Sequence, residues 1–479
     1  MPFRNPANQP PAPPSTPSPA SAAGITESAG AAWQIRSGSL NPLLIRSTLV
    51  AALGGLLFGF DTAVIAGATH ALSALYRLTP GSLGLTVSAA LWGTITGALF
   101  AGIPGDRYGR RDSLRGLAVL FFVSAIGCAL AWDWGSFLAF RFVAGLAIGG
   151  SSVLGPMYIA EIAPAKWRGR LVGVFQFNIV FGILLAYFSN YLIGTMSLGA
   201  DAWRWKLGIS AAPAALFFLL LFYIPRSPRW LVKKGRKAEA REVLREIEGD
   251  AAEHELTDII ESIQADHTGT RQRLFSRRYR YPLYLAITVA MFNQLAGINS
   301  ILYYLNDIFA SAGFSGVSGD LQAVIIGATN LTFTMVAMSV IDKFGRRTML
   351  LIGSVGTCFC LATVAYFFHT RTHERMLIVP LMGYIAFFAF SQGAVIWVYI
   401  SEVFPNTVRA RGQSLGSFTH WLMTAVLSWM FPLLRARSAS VPFAFFAVMM
   451  AIQFFVVMFT FPETKGITLE EMEKKLGVV

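Results

Sequence analysis

Residues 158–164 read YIAEIAP, and the same pattern returns at residues 399–405 as YISEVFP. Two arginines follow each copy at matching distances: Arg168 and Arg170, then Arg409 and Arg411. A glutamate, a proline and two arginines repeated in the same register at such a long separation indicate that the gene was duplicated internally. The sequence therefore predicts two halves built on one plan.

Two further motifs are repeated in the same order. Residues 105–111 read GDRYGRR and residues 342–347 read DKFGRR, and PRSPRW at 225–230 is echoed by PETKG at 462–466. One repeated motif is compatible with chance, but three in one order indicate a duplicated unit of six helices. Parallel repeats of this kind are found in one large class of membrane transporters.

The composition indicates that the chain is embedded in a membrane. Of its 479 residues, 54% are hydrophobic and 14% are charged, and the mean hydropathy is +0.54, which is too apolar for a soluble multidomain protein. A membrane-spanning helix needs roughly 20 apolar residues. The sequence contains twelve candidate spans: 47–69, 83–103, 114–132, 136–158, 171–194, 206–224, 282–309, 320–341, 348–369, 377–400, 413–433 and 442–461.

The predicted fold is an all-α integral membrane protein with twelve transmembrane helices in two pseudo-symmetric six-helix bundles. Lipid offers the backbone no hydrogen-bonding partner, so each span is expected to be a helix. The predicted regions are a disordered cytosolic tail, an N-terminal bundle, a cytosolic linker with helices, a C-terminal bundle and a cytosolic C-terminal tail: 1–44, 45–225, 226–280, 281–461 and 462–479. In the linker, Leu244 and Ile247 are spaced as on one face of a helix.

The net charge of +13 follows the predicted topology and does not indicate a nucleic-acid partner. Loops on one side of the predicted membrane carry the larger share of the arginines and lysines, which by the positive-inside rule face the cytosol. Both termini are then cytosolic in a multi-pass protein. The three cysteines fall within predicted spans without a pairing or zinc-binding pattern and are interpreted as packing residues: Cys128, Cys358 and Cys360.

Five sequence segments together resemble one known family, the sugar porters of the major facilitator superfamily. They are GGLLFGFDTAV at 54–64, the paired GRR loops, PMYIAE at 156–161, QLAGIN at 294–299 and PETKG at 462–466. The resemblance covers residues from about 49 to 471. It implies a major facilitator fold and transport of a monosaccharide across the inner or plasma membrane.

Two opposite charges are predicted to lie within the membrane, Asp61 in the first span and Arg141 in the fourth. A charge at the bilayer centre costs at least about 2.5 to 3.5 kcal/mol on insertion scales, so such a pair suggests a function. A rearrangement that changes their separation would couple protonation of Asp61 to conformation. The alternative is a static structural ion pair. In the proton-coupled members of the resembling family, the matching residues perform the coupling.

Neutral polar side chains suggest the cargo. A monosaccharide carries hydroxyls and no charge, and amides both donate to and accept from hydroxyls. The candidate amides are Gln176, Asn293, Gln294, Asn299 and Asn330, and Trp397 and Trp421 offer apolar platforms for a sugar ring. For Gln294 and Asn299 to converge, the helix must bend or unwind near Gly297. The alternative is that these amides join helices to one another.

The resemblance assigns several residues to the sugar cavity. It implies sugar contact for Gln176, Gln294, Asn299, Asn330 and Trp397, and it places Phe58, Tyr303, Phe388 and Gly393 at the cavity or its gates. His420 falls where the family usually has Asn or Gln, and it either bonds the sugar, titrates near neutral pH or packs as a neutral ring. Four further residues depart from the family pattern. The family commonly has Gln in place of Asn293, Pro in place of Ala394 and Glu in place of Arg226, and some pentose carriers have Gln in place of Ile183.

The repeated basic motifs suggest a latch. Acidic residues in the turns and at helix ends lie near arginines in both halves, and acid–base pairs formed across the halves would hold the outward-facing state and break when the halves rock. In the resembling family these positions form such a cytosolic latch. The alternative is that the basic residues only set topology. The eight candidates are Asp106, Arg110, Glu161, Arg168, Asp342, Arg346, Glu402 and Arg409.

The predicted function is secondary active transport of a hexose or pentose by alternating access, as sugar:H⁺ symport by a monomeric unit. The alternatives are a facilitative uniporter and a membrane sugar sensor that does not transport. The sequence contains no Walker lysine motif, metal-binding cluster or nucleophilic triad, so no enzyme activity and no cofactor are predicted. The expected partners are the sugar, protons and lipid, and the expected driving force is a proton gradient.

Overall fold

The computed structural model describes residues 41–164, 166–196, 198–268, 274–405, 407–467 and 469–477. Within these ranges the chain forms α-helices joined by short turns and 3₁₀ segments, and no strand occurs in them. The prediction of a disordered tail at 1–44 lies almost entirely outside the described residues.

The first half contains nine helices in the described ranges, and its long helices cross the bundle from end to end. They are α1 Pro42–Val64, α2 Thr69–Tyr76, α3 Pro80–Phe100, α4 Gly102–Arg107, α5 Arg110–Ala129, α6 Trp134–Ile162, α7 Arg168–Thr195, α8 Ala202–Gly208 and α9 Ala211–Leu220. Several begin at clear capping signals. The backbone N–H of Ser136, for example, donates to the Asp133 side chain, and the backbone N–H of Asp133 donates to Ser136 Oγ.

The linker and the second half follow in the same order. The linker helices are α10 Pro228–Lys233, α11 Lys237–Glu248 and α12 Ala252–Thr268. The second half contains α13 Arg280–Leu295, α14 Ile298–Tyr303, α15 Leu305–Ser311, α16 Gly316–Phe344, α17 Arg346–Thr370, α18 Ile378–Phe390, α19 Gln392–Glu402, α20 Arg409–Arg437 and α21 Val441–Thr460, and α22 Leu469–Lys475 comes after it.

Ten of the twelve predicted spans correspond to helical segments that are long and apolar enough to cross a membrane, among the described residues. The other two are helical but differ from a simple span. The predicted span 206–224 is divided into α8 and α9 by a break at Ile209 and Ser210. The predicted span 413–433 lies inside α20, a continuous 29-residue helix with basic residues at both ends.

The linker packs beneath the first half. Leu244 and Ile247 are both buried, which confirms the helical face predicted for this segment. The indole Nε1 of Trp230 on α10 donates to the Asp106 carbonyl at 3.1 Å, and the Asn41 side chain donates to the Glu246 carbonyl. The linker is therefore attached to the first half by polar contacts as well as by apolar burial.

The two halves meet along two helix pairs, α3 with α20 and α7 with α16. We call the end with the turns at 105–111 and 342–347 the basic end, and the end with the turns at 77–79 and 312–315 the opposite end. Trp429 Nε1 donates to the Gly81 carbonyl at 3.2 Å at the opposite end. A Cβ atom at Gly84 would lie 2.3 Å from the Trp429 carbonyl oxygen, so α3 and α20 touch backbone to backbone there.

Further contacts between the halves lie towards the same end. Tyr187 Oη donates to the Leu302 carbonyl at 2.8 Å. Lys206 Nζ donates to Asp320 Oδ2 at 2.9 Å. Together with the approach of α3 to α20, these contacts close the opposite end of the central path.

The basic end contains an unusual helix cap. Glu463, which follows the last span, accepts backbone N–H groups from the start of α17: Arg346 N lies 2.8 Å from Oε1 and Arg347 N lies 3.1 Å from Oε2. The backbone N–H groups of Thr464 and Lys465 also donate to Oε1. Burial alone would raise the pKa of Glu463, but these four donors outweigh it and lower the pKa.

Replacing Glu463 with Gln is therefore expected to lower the thermal unfolding temperature of the purified protein at pH 7. A carboxylate whose pKa is lowered by folding stabilises the protein above its unfolded pKa, and that stabilisation is lost as the pH falls through the folded pKa. The difference between wild type and variant should shrink below about pH 4. The exposed Glu261→Gln is the control and should show no difference at either pH; a pH-independent difference for Glu463→Gln would contradict the assignment.

Candidate functional site

Asp61 and Arg141 form an ion pair inside the first half. Arg141 Nη1 on α6 donates to Asp61 Oδ1 on α1 at 2.7 Å. The Arg141 side chain is 3% exposed and the Asp61 side chain is 14% exposed. The guanidinium is therefore enclosed, whereas the carboxylate retains access to a cavity. The structure brings the two predicted coupling residues together, but their role in coupling stays a prediction.

The cavity beside Asp61 is bounded by both halves. Its walls include Phe58 and Arg141 from the first half and Tyr303 and Trp421 from the second. The rings of Phe58 and Trp421 lie 5.4 Å apart, centre to centre, across this boundary. A change in how the halves meet would therefore alter the surroundings of the Asp61 carboxylate directly.

The first helix of the second half is interrupted where the sequence predicts it. Gly297 lies between α13 and α14 with a φ of +85°, a conformation that favours glycine, and a Cβ atom there would lie 2.3 Å from Phe446. The break turns Asn299 back towards Gln294, and Asn299 Nδ2 donates to Gln294 Oε1 at 3.0 Å. The predicted convergence of these two amides is confirmed.

Gln294 is the centre of a buried polar network. Its Nε2 donates to Asn293 Oδ1 at 2.9 Å and lies 3.2 Å from His420 Nδ1 on α20. The Gln294 side chain therefore uses both its donor and its acceptor within the network. The residues Asn293, Gln294 and His420 are all buried, which makes each of these hydrogen bonds costly to lose.

Two tryptophans flank His420 in this network. The ring centres of Trp397 and His420 are 5.1 Å apart, and those of His420 and Trp421 are also 5.1 Å apart. An apolar ring face beside amide groups suits a sugar, which has C–H faces and a rim of hydroxyls. Trp421 also lines the Asp61 cavity, so it belongs to the walls of both groups.

A second helix break contacts the network through Asn293. α18 ends at Phe390 and α19 begins at Gln392, with Ser391 at φ −115° and ψ −87° between them. The Asn293 side chain donates to the Gln392 carbonyl at 3.1 Å, and thus satisfies a backbone group at this break. Gln392 is not among the site residues predicted from the sequence. The polar stretch 391–393 within an apolar span is the feature that indicates a break there.

The predicted gate residues lie around the two breaks. Tyr303 ends α14 and reaches the Asp61 cavity. Phe388 is buried on α18, and a Cβ atom at Gly393 would lie 3.4 Å from its ring. Tyr384 Oη donates to the Ala296 carbonyl at 2.9 Å and so connects α18 to the break at Gly297.

Gln176 and Asn330 are not part of the Gln294 network. Gln176 is half-buried on α7, and Asn330 is buried on α16, the helix that packs against α7. The structure gives no hydrogen bond from either to Gln294 or Asn299 among the described contacts. If they bind sugar, they do so from the wall formed by α7 and α16.

The sequence predicts acid–base pairs across the halves at the basic end, but in the part of the chain that the structure describes these residues pair within each half. Arg110 Nη2 lies 3.0 Å from Glu161 Oε1 and Nη1 lies 3.2 Å from Asp106 Oδ1. The second half repeats this arrangement with equivalent residues and distances of 2.8 and 3.0 Å: Arg346 with Glu402 and Asp342.

Arg168 and Arg409, the other two arginines of the predicted latch, contact backbone carbonyls. Arg168 donates to the Ala163 carbonyl and Arg409 to the Phe404 carbonyl. Each arginine folds back on the turn before its own helix, because unpaired carbonyls at the preceding helix end need donors. Among the described residues, no ion pair of the predicted latch crosses between the halves in this conformation, in which the opposite end is closed.

Comparisons with known proteins agree with this architecture. A family model described as sugar (and other) transporter matches residues 47–476. The D-xylose-proton symporter of Escherichia coli strain K12 is 37% identical over 467 residues, which cover 89% of this chain and 94% of the relative. The arabinose-proton symporter of Bacillus subtilis strain 168 is 37% identical over 446 residues, covering 92% and 96%.

Solved structures show the same fold. The inward open conformation of the xylose transporter XylE from E. coli has a TM-score of 0.81 at 35% identity, covering 90% of this chain and 99% of that one. The same symporter bound to 6-bromo-6-deoxy-D-glucose has a TM-score of 0.74 at 35% identity, covering 91% and 99%. The predicted all-α fold of two six-helix bundles is therefore confirmed.

Proposed function

Because this chain belongs to the sugar transporter family within the major facilitator superfamily, we propose that it carries a hexose or pentose into the cell together with a proton. The chain is a transporter and not an enzyme. Its relatives include proteins named D-xylose-proton symporter and arabinose-proton symporter. The proposal applies that coupled transport to this chain's own residues.

The observation that carries the proposal is the 2.7 Å contact between Arg141 and Asp61 beside a cavity lined by Trp421. When Asp61 takes up a proton it becomes neutral, and the attraction that holds Arg141 to it is lost. The walls of the cavity come from both halves, so the change is felt where they meet. Protonation and the relative position of the halves are coupled in this way.

The Gln294 network supports the sugar assignment. Its amides and His420 offer donors and acceptors without a net charge, in keeping with a neutral polyhydroxylated cargo. Sugar hydroxyls would exchange with hydrogen bonds that Gln294 and Asn299 now make to each other. Trp421 touches both the network and the coupling cavity, so a bound sugar would alter the boundary on which Asp61 lies.

We assign the basic end to the cytosol by the positive-inside rule, with the described chain starting and ending on that side. The protein then lies in the inner or plasma membrane, and the conformation described here is open to the cytosol. The TM-score of 0.81 to the inward open XylE structure supports this assignment of the conformation. A single chain contains both halves of the path and is proposed to be the working unit.

Uptake of labelled sugar into proteoliposomes tests this function. With an imposed inward proton gradient, sugar should accumulate above its outside concentration, and a protonophore should abolish that accumulation. Equilibration without accumulation under any gradient would identify a uniporter and contradict symport. Binding without any net uptake would identify a sensor and contradict transport.

A further inference from the structure

A buried ion pair joins the two halves at the opposite end, and its residues are not among those that line the Asp61 cavity. Lys206 lies on α8 in the first half and Asp320 lies near the start of α16 in the second half. Their charged atoms are 2.9 Å apart, and the side chains are only 9% and 3% exposed. Neither residue belongs to the sugar network or the coupling pair.

The Asp320 carboxylate has a partner on each oxygen. Oδ2 accepts from Lys206 in the first half, and Oδ1 accepts from the Asn306 side chain on α15 in its own half. Asn306 lies on α15, which follows α14 and the break at Gly297, so the carboxylate connects α8, α15 and α16 at the opposite end. A carboxylate with both oxygens satisfied is the arrangement in which burial of the charge is tolerated.

The first half contains a slot shaped for this carboxylate. Gly194 lies near the end of α7, and a Cβ atom there would lie 2.8 Å from Asp320 Oδ2 and 3.9 Å from Lys206 Nζ. Any side chain at residue 194 would occupy the space that the carboxylate now fills. Asp320 thus inserts from the second half between α7 and α8 of the first.

Such a pair depends on the state of the protein. The two charges come from different halves, so they stay in contact only while the opposite end is closed, and separation of the halves would expose both to water. The pair therefore contributes to one end state of the cycle and not to the other.

We propose that Lys206 and Asp320, positioned by Asn306 and the slot at Gly194, form a lock that holds the opposite end closed. In the cycle this lock sets the fraction of protein facing inwards and must open before the empty carrier returns outwards. Its effect on transport rests on the proposed function, but the lock itself is a property of how the halves meet and is measurable without sugar.

Distance measurement between spin labels tests the lock. Labels are attached at Leu75→Cys on α2 and Val317→Cys on α16, two exposed positions at the opposite end in different halves. The background lacks the three native cysteines: Cys128, Cys358 and Cys360. Double electron–electron resonance in nanodiscs without sugar then reports how often that end is closed.

Lys206→Met and Asp320→Asn are each expected to raise the ratio of long to short distances at least tenfold. In the background of Lys206→Met, Asp320→Asn should add much less than it does alone, because the two residues act through one contact. Gly194→Ala should resemble Asp320→Asn. The matched control is Asp201→Asn, which removes an exposed ion pair to Arg204 within the first half and should leave the distances unchanged.

Unchanged distances in both single variants, or effects that simply add in the double variant, would overturn the lock. A variant that fails to fold is recognised by its elution profile, and Gly194→Ala then provides the test with both charges intact. Sugar binding to the wild type is measured separately. Absence of binding would contradict the proposed function, while the distance result would still decide the lock.

Discussion

Replacing Asp61 with Asn is expected to abolish proton-driven accumulation of sugar while sugar-for-sugar exchange continues. The Asn side chain has nearly the shape of the carboxylate and can still accept a hydrogen bond from Arg141, but it cannot take up or release a proton. The carrier should then behave as though it were permanently protonated at this position. Accumulation under a gradient and exchange of labelled for unlabelled sugar are both measured in proteoliposomes.

The matched control for Asp61→Asn is Asp201→Asn, the same chemical change at an exposed carboxylate of the same half. It should accumulate sugar as the wild type does. If Asp61→Asn still accumulates sugar against its gradient, the ion pair with Arg141 is structural and the proton binds elsewhere. Equal loss of accumulation and exchange would likewise contradict a role confined to coupling.

Gln294→Ala is expected to weaken sugar binding by roughly 5- to 100-fold, which corresponds to about 1 to 3 kcal/mol for buried polar groups left without partners. The change removes the acceptor of Asn299 and the donor to Asn293 at once. It also leaves His420 without its amide neighbour. The dissociation constant is measured by isothermal titration with xylose, arabinose and glucose.

Gln453→Met is the matched control for the loss of a buried amide. Gln453 is a buried glutamine on α21 of the same half, and its Oε1 has no hydrogen-bond partner in the described structure. It lies outside the Gln294 network, so its replacement should leave sugar affinity near the wild-type value. Comparable losses in both variants would show that Gln294 acts through general packing and would remove the network from the sugar site.

Local sequence chemistry accounts for the parts of the site that were predicted correctly. Gly297 between two amides predicted a helix break, because only glycine adopts its positive φ without strain. The intramembrane charges of Asp61 and Arg141 predicted an ion pair, because a single charge in lipid is energetically costly. In both cases the sequence predicts the arrangement because the alternative, a strained backbone or an unpaired charge in lipid, is energetically unfavourable.

Other features depend on how separate helices approach one another, and sequence patterns do not determine this. In the predicted topology Arg110 and Arg168 are both near Glu161. In the structure Arg110 forms the ion pair with Glu161, and Arg168 contacts the Ala163 carbonyl. Lys206 is the first residue of the predicted span 206–224, and no motif in the sequence predicts a partner for it. Its partner Asp320 lies in the other half, and only the packing of α7 against α16 brings the two together.

The duplicated halves therefore share their architecture but differ in their polar content. Each half forms the same acid–base pairs at the basic end, with Arg110 to Glu161 in the first and Arg346 to Glu402 in the second. Within the membrane, the first half holds Asp61 and the second holds the Gln294 network. Trp421 of the second half lines the Asp61 cavity and packs against His420, and so connects that cavity to the Gln294 network.

The most direct measurement of coupling is sugar-induced proton movement into vesicles that start without a pH gradient. Proteoliposomes contain a trapped pH-sensitive dye, and a transported sugar is added outside. The vesicle interior should acidify when sugar is added to wild-type vesicles, and no acidification should occur in Asp61→Asn vesicles. Sugar entry into wild-type vesicles with no change in internal pH would contradict proton-coupled transport by this protein.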